Sequence, residues 1–316
     1  MGSSPFVHRE ICPGCATAAE AAHTIYRRSY QHPPLLQSLE NAYAEVGRLQ
    51  HTLLEGAEFV LAQCPTCRLV YQVEIPDDSF MHKLYEEWID PKITFRKHIE
   101  ESTAASYNRI ASEIAALVAK FDRPPYSLKF LDFGMGWGEW VRLARAFGVQ
   151  AHGAEFSQAR LAFARSQALP VVTWDEISTQ QFDLIRADQV FEHLAQPLAT
   201  LQYLARSLKQ GGVLKIGVPD GSDIRRRLLI DDWSAPKGSR NSLNAVAPLE
   251  HINCFSRNAL LAMATKAGLR PVRSRLLLQY THLILGRTPR EILGNLCRPL
   301  LRQVLQQSNS ILLTHQ

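Results

Sequence analysis

The sequence predicts an α/β protein: a doubly wound, mostly parallel sheet preceded by a small cysteine-bearing domain. Three observations carry that expectation. From about residue 122 onward, strand-like and helix-like runs alternate, which is the mark of a parallel sheet with helices on both faces. A glycine-rich turn follows the first of those strands. Two Cys-x-x-Cys pairs, Cys12/Cys15 and Cys64/Cys67, stand near the N-terminus.

The elements follow in order. Between the cysteine pairs a helix is expected from roughly Leu35 to Leu54. After the second pair the run LVYQVEI reads as a strand ended by Pro76-Asp77-Asp78. Residues 94–121 carry Ile99, Ile110, Ile114, Leu117 and Val118 at helical spacing, and Asp122-Arg-Pro-Pro stops them. Strands are then expected at LKFLDFG, VQAHGAEF, PVVTW, FDLIRA and GGVLKIGVP. Amphipathic helices lie between them, among them Glu139 to Phe147 and Gln158 to Gln167. The division expected is 1–92 for the cysteine domain and linker and 93–316 for the sheet domain. Residues 221–249, rich in Ser, Asn, Pro and charge, read as a lid.

Composition bounds what the chain does. Its 316 residues are 46% hydrophobic and 21% charged, enough to bury a sizeable core. A net charge of +5 permits an anionic partner without demanding one. No run of 18 apolar residues predicts a membrane span, and the N-terminus shows no basic-then-apolar leader. A cytoplasmic, reducing setting is therefore expected, where clustered cysteines bind metal rather than pair as disulfides. Two Cys-x-x-Cys turns supply the four thiolates of a tetrahedral, structural Zn²⁺ site, so Cys12, Cys15, Cys64 and Cys67 are the expected ligands. A redox pair is the competing reading. Cys254 and Cys297 are left as packed or incidental thiols.

The glycine turn reads Leu131-Asp132-Phe133-Gly134-Met135-Gly136-Trp137-Gly138-Glu139. Glycines let the chain turn sharply and bring its backbone against a ligand. The spacing is G-x-G-x-G, not the G-x-G-x-x-G that cradles a pyrophosphate. Glu155 ends the next strand, where an acidic residue holds the two hydroxyls of a ribose.

These residues carry a resemblance. LDFGMGWGEW resembles the first motif of class I S-adenosylmethionine (SAM)-dependent methyltransferases, and FDLIRADQVFEHLAQP their fourth. LKQGGVLKIGVPD and EHINCFSRNALLAMATKAGL are similar to two later segments, in the same order. The resemblance implies a Rossmann-like seven-stranded sheet. A sixth strand lies at 270–280, and the last strand, SNSILLTHQ, inserts antiparallel. It implies that Asp132, Gly134, Gly136 and Gly138 line the SAM site, that Glu155 holds the ribose and that Phe156 belongs to the same cofactor site. Trp174 or Asp175 neighbours the adenine, and Asp188 and Gln189 face the methionine part. The cysteine pairs, followed by LVYQ and LYEEWID, resemble a bacterial subgroup that methylates sugars, glycans and natural-product intermediates. The partner implied is thus a small-molecule, nucleotide-sugar or glycan acceptor.

An acceptor hydroxyl or acidic C–H needs a base. His251, beside Glu250, is the first candidate, and a near-normal pKa would suit it. The bland alternative is a His that only caps the next helix or bonds the backbone. His193, beside Glu192, is the second candidate. A complete hard-metal site is not expected there. Two other functions compete. One is an RNA base methyltransferase using Arg225-Arg226-Arg227 on phosphates, although the basic excess is small and disfavours a nucleic-acid partner. The other is a non-catalytic, zinc-bearing adaptor. The helix expected at Arg290 to Gln306 puts Ile292, Leu293, Leu296, Leu300 and Val304 on one side; packing is the favoured reading, a membrane surface the other.

Overall fold

The computed structural model describes residues 4–43, 49–272, 286, 288–305 and 309–316. Its strands, in chain order, are β1 (Phe6–His8), β2 (His23–Ser29), β3 (Glu58–Gln63), β4 (Val70–Gln72), β5 (Glu74–Pro76), β6 (Lys129–Phe133), β7 (Gln150–Ala154), β8 (Phe182–Asp188), β9 (Leu208–Gly217), β10 (Asn253–Cys254), β11 (Leu269–Pro271) and β12 (Ser310–His315). The chain groups into two units. One gathers Met1–Thr94, Gln189–Leu201 and Val218–Ala267; the other gathers Phe95–Asp188, Gln202–Gly217 and Gly268–Gln316.

The second unit holds a six-stranded sheet of order β11-β12-β9-β8-β6-β7. Strands β6, β7, β8 and β9 run parallel, and β12 inserts antiparallel between β9 and β11. From β6 the chain steps outward to β7 and then back across to β8. Strand order therefore reverses beside β6, and ligands bind outside the carboxyl ends of strands at such a point. In β6 four of five residues are buried, as expected of a strand covered on both faces. Against it packs the helix Glu139–Ala146, which buries Trp140, Val141 and Ala144 at helical spacing.

Several expectations need correction. PVVTW is not a strand: Val171 makes only an isolated bridge to Gly153. Thr173 instead caps a helix, Trp174–Ser178, exchanging hydrogen bonds with Glu176 in a capping box. That leaves six strands in this sheet, among the described residues, where seven were expected. The helix expected over 94–121 is two, Pro91–Glu101 and Ala104–Val118, because Thr103 starts the second with its own capping box to Ser106. Residues 273–280 of the proposed sixth strand lie outside the described residues, while β11 supplies its beginning.

The first unit has a four-stranded antiparallel sheet, β10-β4-β3-β2, and a two-stranded one, β1-β5. LVYQVEI is therefore not one strand but two, β4 and β5, parted at Val73, whose amide bonds to the Val60 carbonyl instead. The expected Leu35 to Leu54 helix is Pro33–Tyr43, with a separate turn at His51–Leu53; residues 44–48 lie outside the described residues. The stretch 221–249, expected as a lid, contributes buried residues here. It lends Ile224, Leu228, Trp233, Leu243, Val246 and Leu249 to a buried core shared with Tyr30, Phe59 and Trp88. In the helix Pro289–Leu305, Leu293, Leu296 and Leu300 are exposed, contrary to the packing expected.

Candidate functional site

Four thiols meet first. The turns at Cys12–Cys15 and Cys64–Cys67 place all four sulfurs within 4.8 Å of one another, and all four residues are buried. Cys12 Sγ lies 3.5 Å from Cys67 Sγ, and Cys15 Sγ 3.6 Å from Cys64 Sγ. A tetrahedral zinc with Zn–S bonds of about 2.3 Å needs sulfurs ~3.8 Å apart. The residues therefore fit a structural, closed zinc site, with all four expected ligands in place.

In the second unit, the loop after β6 turns on three glycines with positive φ, +76° at Gly134, +57° at Gly136 and +80° at Gly138. Above Gly136 the space a Cβ would enter is open, so a ligand can reach its backbone. Glu155, just past β7, fixes this loop. Its Oε2 accepts from the Gly136 amide at 2.9 Å, and its Oε1 accepts from the Phe156 and Ser157 amides at 2.8 and 3.0 Å. A carboxylate accepts about four bonds, so one of its lone pairs remains for a sugar hydroxyl.

Phe133, Phe156 and Trp174 form one aromatic group, with ring centroids 5.9 to 6.2 Å apart. Tyr203 stacks on Trp174 at 4.1 Å, a partner not foreseen from the sequence because it stands on a later helix. Asp175 is exposed beside them, in the first turn of the helix Trp174–Ser178.

Asp132 is fully buried on β6, and Arg186 on β8 bonds it at 2.8 Å. The same guanidinium holds Glu113 at 2.9 Å and Asp188 at 2.8 Å, and lies over the Trp140 ring. Burial raises the Asp132 carboxyl above its ordinary range, although Arg186 opposes that shift. Arg186 was legible in FDLIRAD as a charge inside a strand, the signal that should have marked it. Asp188 also lies across Gly217, where a Cβ would meet its carboxylate. The next residue, Gln189, is exposed and left-handed, with φ +57°.

In the first unit, the Phe191–His193 turn and His251 come together. The two imidazoles sit edge to face, 4.8 Å between centroids. His193 Nδ1 is 2.9 Å from both the Glu250 carbonyl and the Tyr85 hydroxyl. His251 Nδ1 bonds the Asn244 carbonyl, and burial pushes this imidazole down to about 4, well below the value expected for a neutral-pH base. The Glu250 carboxylate does not reach His251; it accepts from the Tyr43 hydroxyl at 2.8 Å, and burial raises its carboxyl. Asn253 bonds the Phe191 and Leu194 carbonyls at 3.0 and 2.7 Å, and Arg9 holds Asn253 at 2.9 Å. This clamp fixes the turn that carries Glu192 and His193. Of Arg225-Arg226-Arg227, Arg227 is buried on the Ser242 and Asp220 carbonyls, and Arg226 is tied to Asp223. Arginines used internally weaken the phosphate-binding reading.

A profile of a family described as a methyltransferase domain matches residues 98–274, more than half of the chain. The chain is 27% identical over 211 residues to a ubiquinone biosynthesis O-methyltransferase of Ruegeria sp. (strain TM1040), covering 59% of this chain and 78% of the relative. A protein of the same name from Parvibaculum lavamentivorans is 32% identical over 142 residues, covering 41% of this chain and 56% of the relative. Among solved structures, the plantazolicin methyltransferase BamL, in complex with a triazolic desmethylPZN analog and SAH, aligns with TM-score 0.48. It is 16% identical and covers 74% of this chain and 92% of its own. Magnesium protoporphyrin IX methyltransferase from Synechocystis PCC 6803, with bound SAH, aligns with TM-score 0.45 at 16% identity, over 62% and 91%.

Proposed function

The chain belongs to the methyltransferase-domain family matched over residues 98–274, and from that premise we propose that it transfers the methyl group of SAM to a hydroxyl of a small molecule. The observation that carries the donor is the Gly134–Gly138 loop with Glu155 anchored on the Gly136 amide. The O-methyltransferase relatives support the hydroxyl. A sugar or nucleotide-linked sugar is the acceptor class suggested by the cysteine-bearing N-terminal segment.

SAM supplies a methyl group made electrophilic by its sulfonium. The chain's residues then have distinct tasks. Glu155 takes a ribose hydroxyl on its remaining lone pair, the Phe133–Phe156–Trp174–Tyr203 group flanks the adenine, and Asp188 with Gln189 faces the methionine part. Arg186 holds Asp132 and Asp188 in place through hydrogen bonds from one guanidinium. Holding donor and acceptor in line supplies most of the rate. The acceptor hydroxyl must also lose its proton, and that task we assign to the group of Glu192, His193, Glu250 and His251.

Calorimetric titration with S-adenosylhomocysteine tests the donor site. Micromolar binding by wild type and at least ~10-fold weaker binding by Glu155→Ala, a loss of about 1.4 kcal/mol, are expected. A folded protein that does not bind it overturns the reading. Methylation is then screened with hydroxylated acceptors, nucleotide sugars first.

A further inference from the structure

Glu192, His193 and His251 each turn a ligand-type atom toward one point. A carboxylate oxygen and one nitrogen from each ring lie within 4.8 Å of one another. Glu192 is 1% exposed, and its Oε1 lies 3.8 Å from His193 Nε2. Each imidazole has its Nδ1 on a main-chain carbonyl, Glu250 for His193 and Asn244 for His251. A carbonyl oxygen only accepts, so each Nδ1 carries the ring proton and each Nε2 of the neutral ring carries a lone pair. An ionised carboxylate likewise only accepts. Three lone-pair atoms thus converge in a buried place, and a cation is the ligand that meets all three at once. A carbonyl behind the far ring nitrogen is also what fixes the tautomer and orientation of a metal-bound His.

We propose that Glu192, His193 and His251 bind one divalent transition-metal cation of the zinc type, at a centre distinct from the four-cysteine site. Two imidazoles and one carboxylate favour zinc, cobalt or iron over magnesium or calcium. Tetrahedral ligation at ~2.1 Å places ligand atoms ~3.4 Å apart, so the three side chains need to draw in by about 1 Å. Three protein ligands leave an open position, the mark of a catalytic rather than a structural centre.

This deepens the methyl-transfer reading and rests on it for its chemistry. A hydroxyl bound at the open position loses its proton to water more readily. Its oxygen then forms the O–CH3 bond as the S–CH3 bond breaks, and the sulfur keeps the electron pair. The products are a methyl ether, S-adenosylhomocysteine and one released proton. His193 and His251 then act as ligands, and the low basicity of a buried imidazole is no handicap.

The test is metal content of the full-length protein reconstituted with Co²⁺, read by elemental analysis and absorption. Thiolate-to-cobalt charge transfer reports the four-cysteine centre, and additional d–d absorption without it reports a nitrogen–oxygen centre. Wild type is expected to hold about two cobalt ions per chain. His251→Ala and the isosteric Glu192→Gln are each expected to lose the second ion and its d–d bands while the thiolate band stays. About one ion per chain in wild type, or a second ion that survives both substitutions, overturns the proposal. The count decides this whether or not donor is bound. Titration of the same samples with S-adenosylhomocysteine separates the two ideas, since a bound analogue with only cysteine-held cobalt leaves the methyltransferase reading standing.

Discussion

Gly138 and His251 show how much one residue carries. At Gly138, φ is +80° and a Cβ would lie 2.4 Å from Leu169 Cδ1. Gly138→Ala is expected to cost ~1–3 kcal/mol of stability, the range for a non-glycine residue forced left-handed, and to weaken S-adenosylhomocysteine binding. Urea unfolding and calorimetry read both, and an unchanged midpoint refutes the steric argument. His251 is buried and ordered by Asn244. His251→Ala is expected to cut turnover at least ~100-fold, the usual scale for losing a proton-handling group, and to shift S-adenosylhomocysteine affinity by less than ~2-fold. Undiminished turnover removes His251 from the chemistry. Both residues were legible in the sequence, one through its loop spacing and one through its Glu-His pair. The direction of Glu250 was not, because its partner Tyr43 lies some two hundred residues earlier.

Among the elements, β8 is tied at its start by Asp183. Its carboxylate accepts from the Lys129 amide on β6 at 2.8 Å and from Lys209 on β9 at 2.9 Å, and also pairs with Arg123. Burial alone would raise this carboxyl, but the amide and the two cations outweigh it and hold it below the ordinary range. The stabilisation is therefore fully present above the unfolded value of about 3.9 and is lost as pH falls through the lower folded value. Asp183→Asn is expected to cost ~1–3 kcal/mol near neutrality. The gap from wild type should close in strong acid, as read by urea midpoints across pH. The pattern of β6, β7, β8 and β9 was legible because buried parallel strands are long apolar runs. PVVTW was apolar enough to pass for another, yet the Thr173–Glu176 capping box decides for helix at its end. Periodicity likewise joined Pro91–Glu101 to Ala104–Val118, since a cap interrupts the backbone without interrupting the apolar stripe.

For the molecule as a whole, the four-cysteine cluster could be read from spacing, and the glycine loop from its place between a strand and a helix together with Glu155. The composition of the first unit could not, because its fourth sheet strand, β10, is only two residues long and has no period to read. In segment 221–249 the many polar residues likewise hide buried Trp233 and Arg227. Metal removal tests the cysteine centre at this scale. Chelation, or Cys64→Ser, is expected to lower the melting temperature by several degrees or more, since structural zinc contributes folding energy outright. A protein that melts unchanged without zinc would show the site to be ornamental.

The sheet that adjoins the cysteine turns takes its outermost strand from Asn253–Cys254. During synthesis, the ribosome makes both cysteine pairs early and that strand far later. Residues 1–94 therefore emerge with their zinc ligands complete but with part of their apolar interior still unmade. Until Trp233 is made, Tyr26 and Phe59 lack the ring that packs against them in the folded protein. Early zinc capture would then serve as a holding clip, keeping the unfinished segment compact through the interval when aggregation is most favoured.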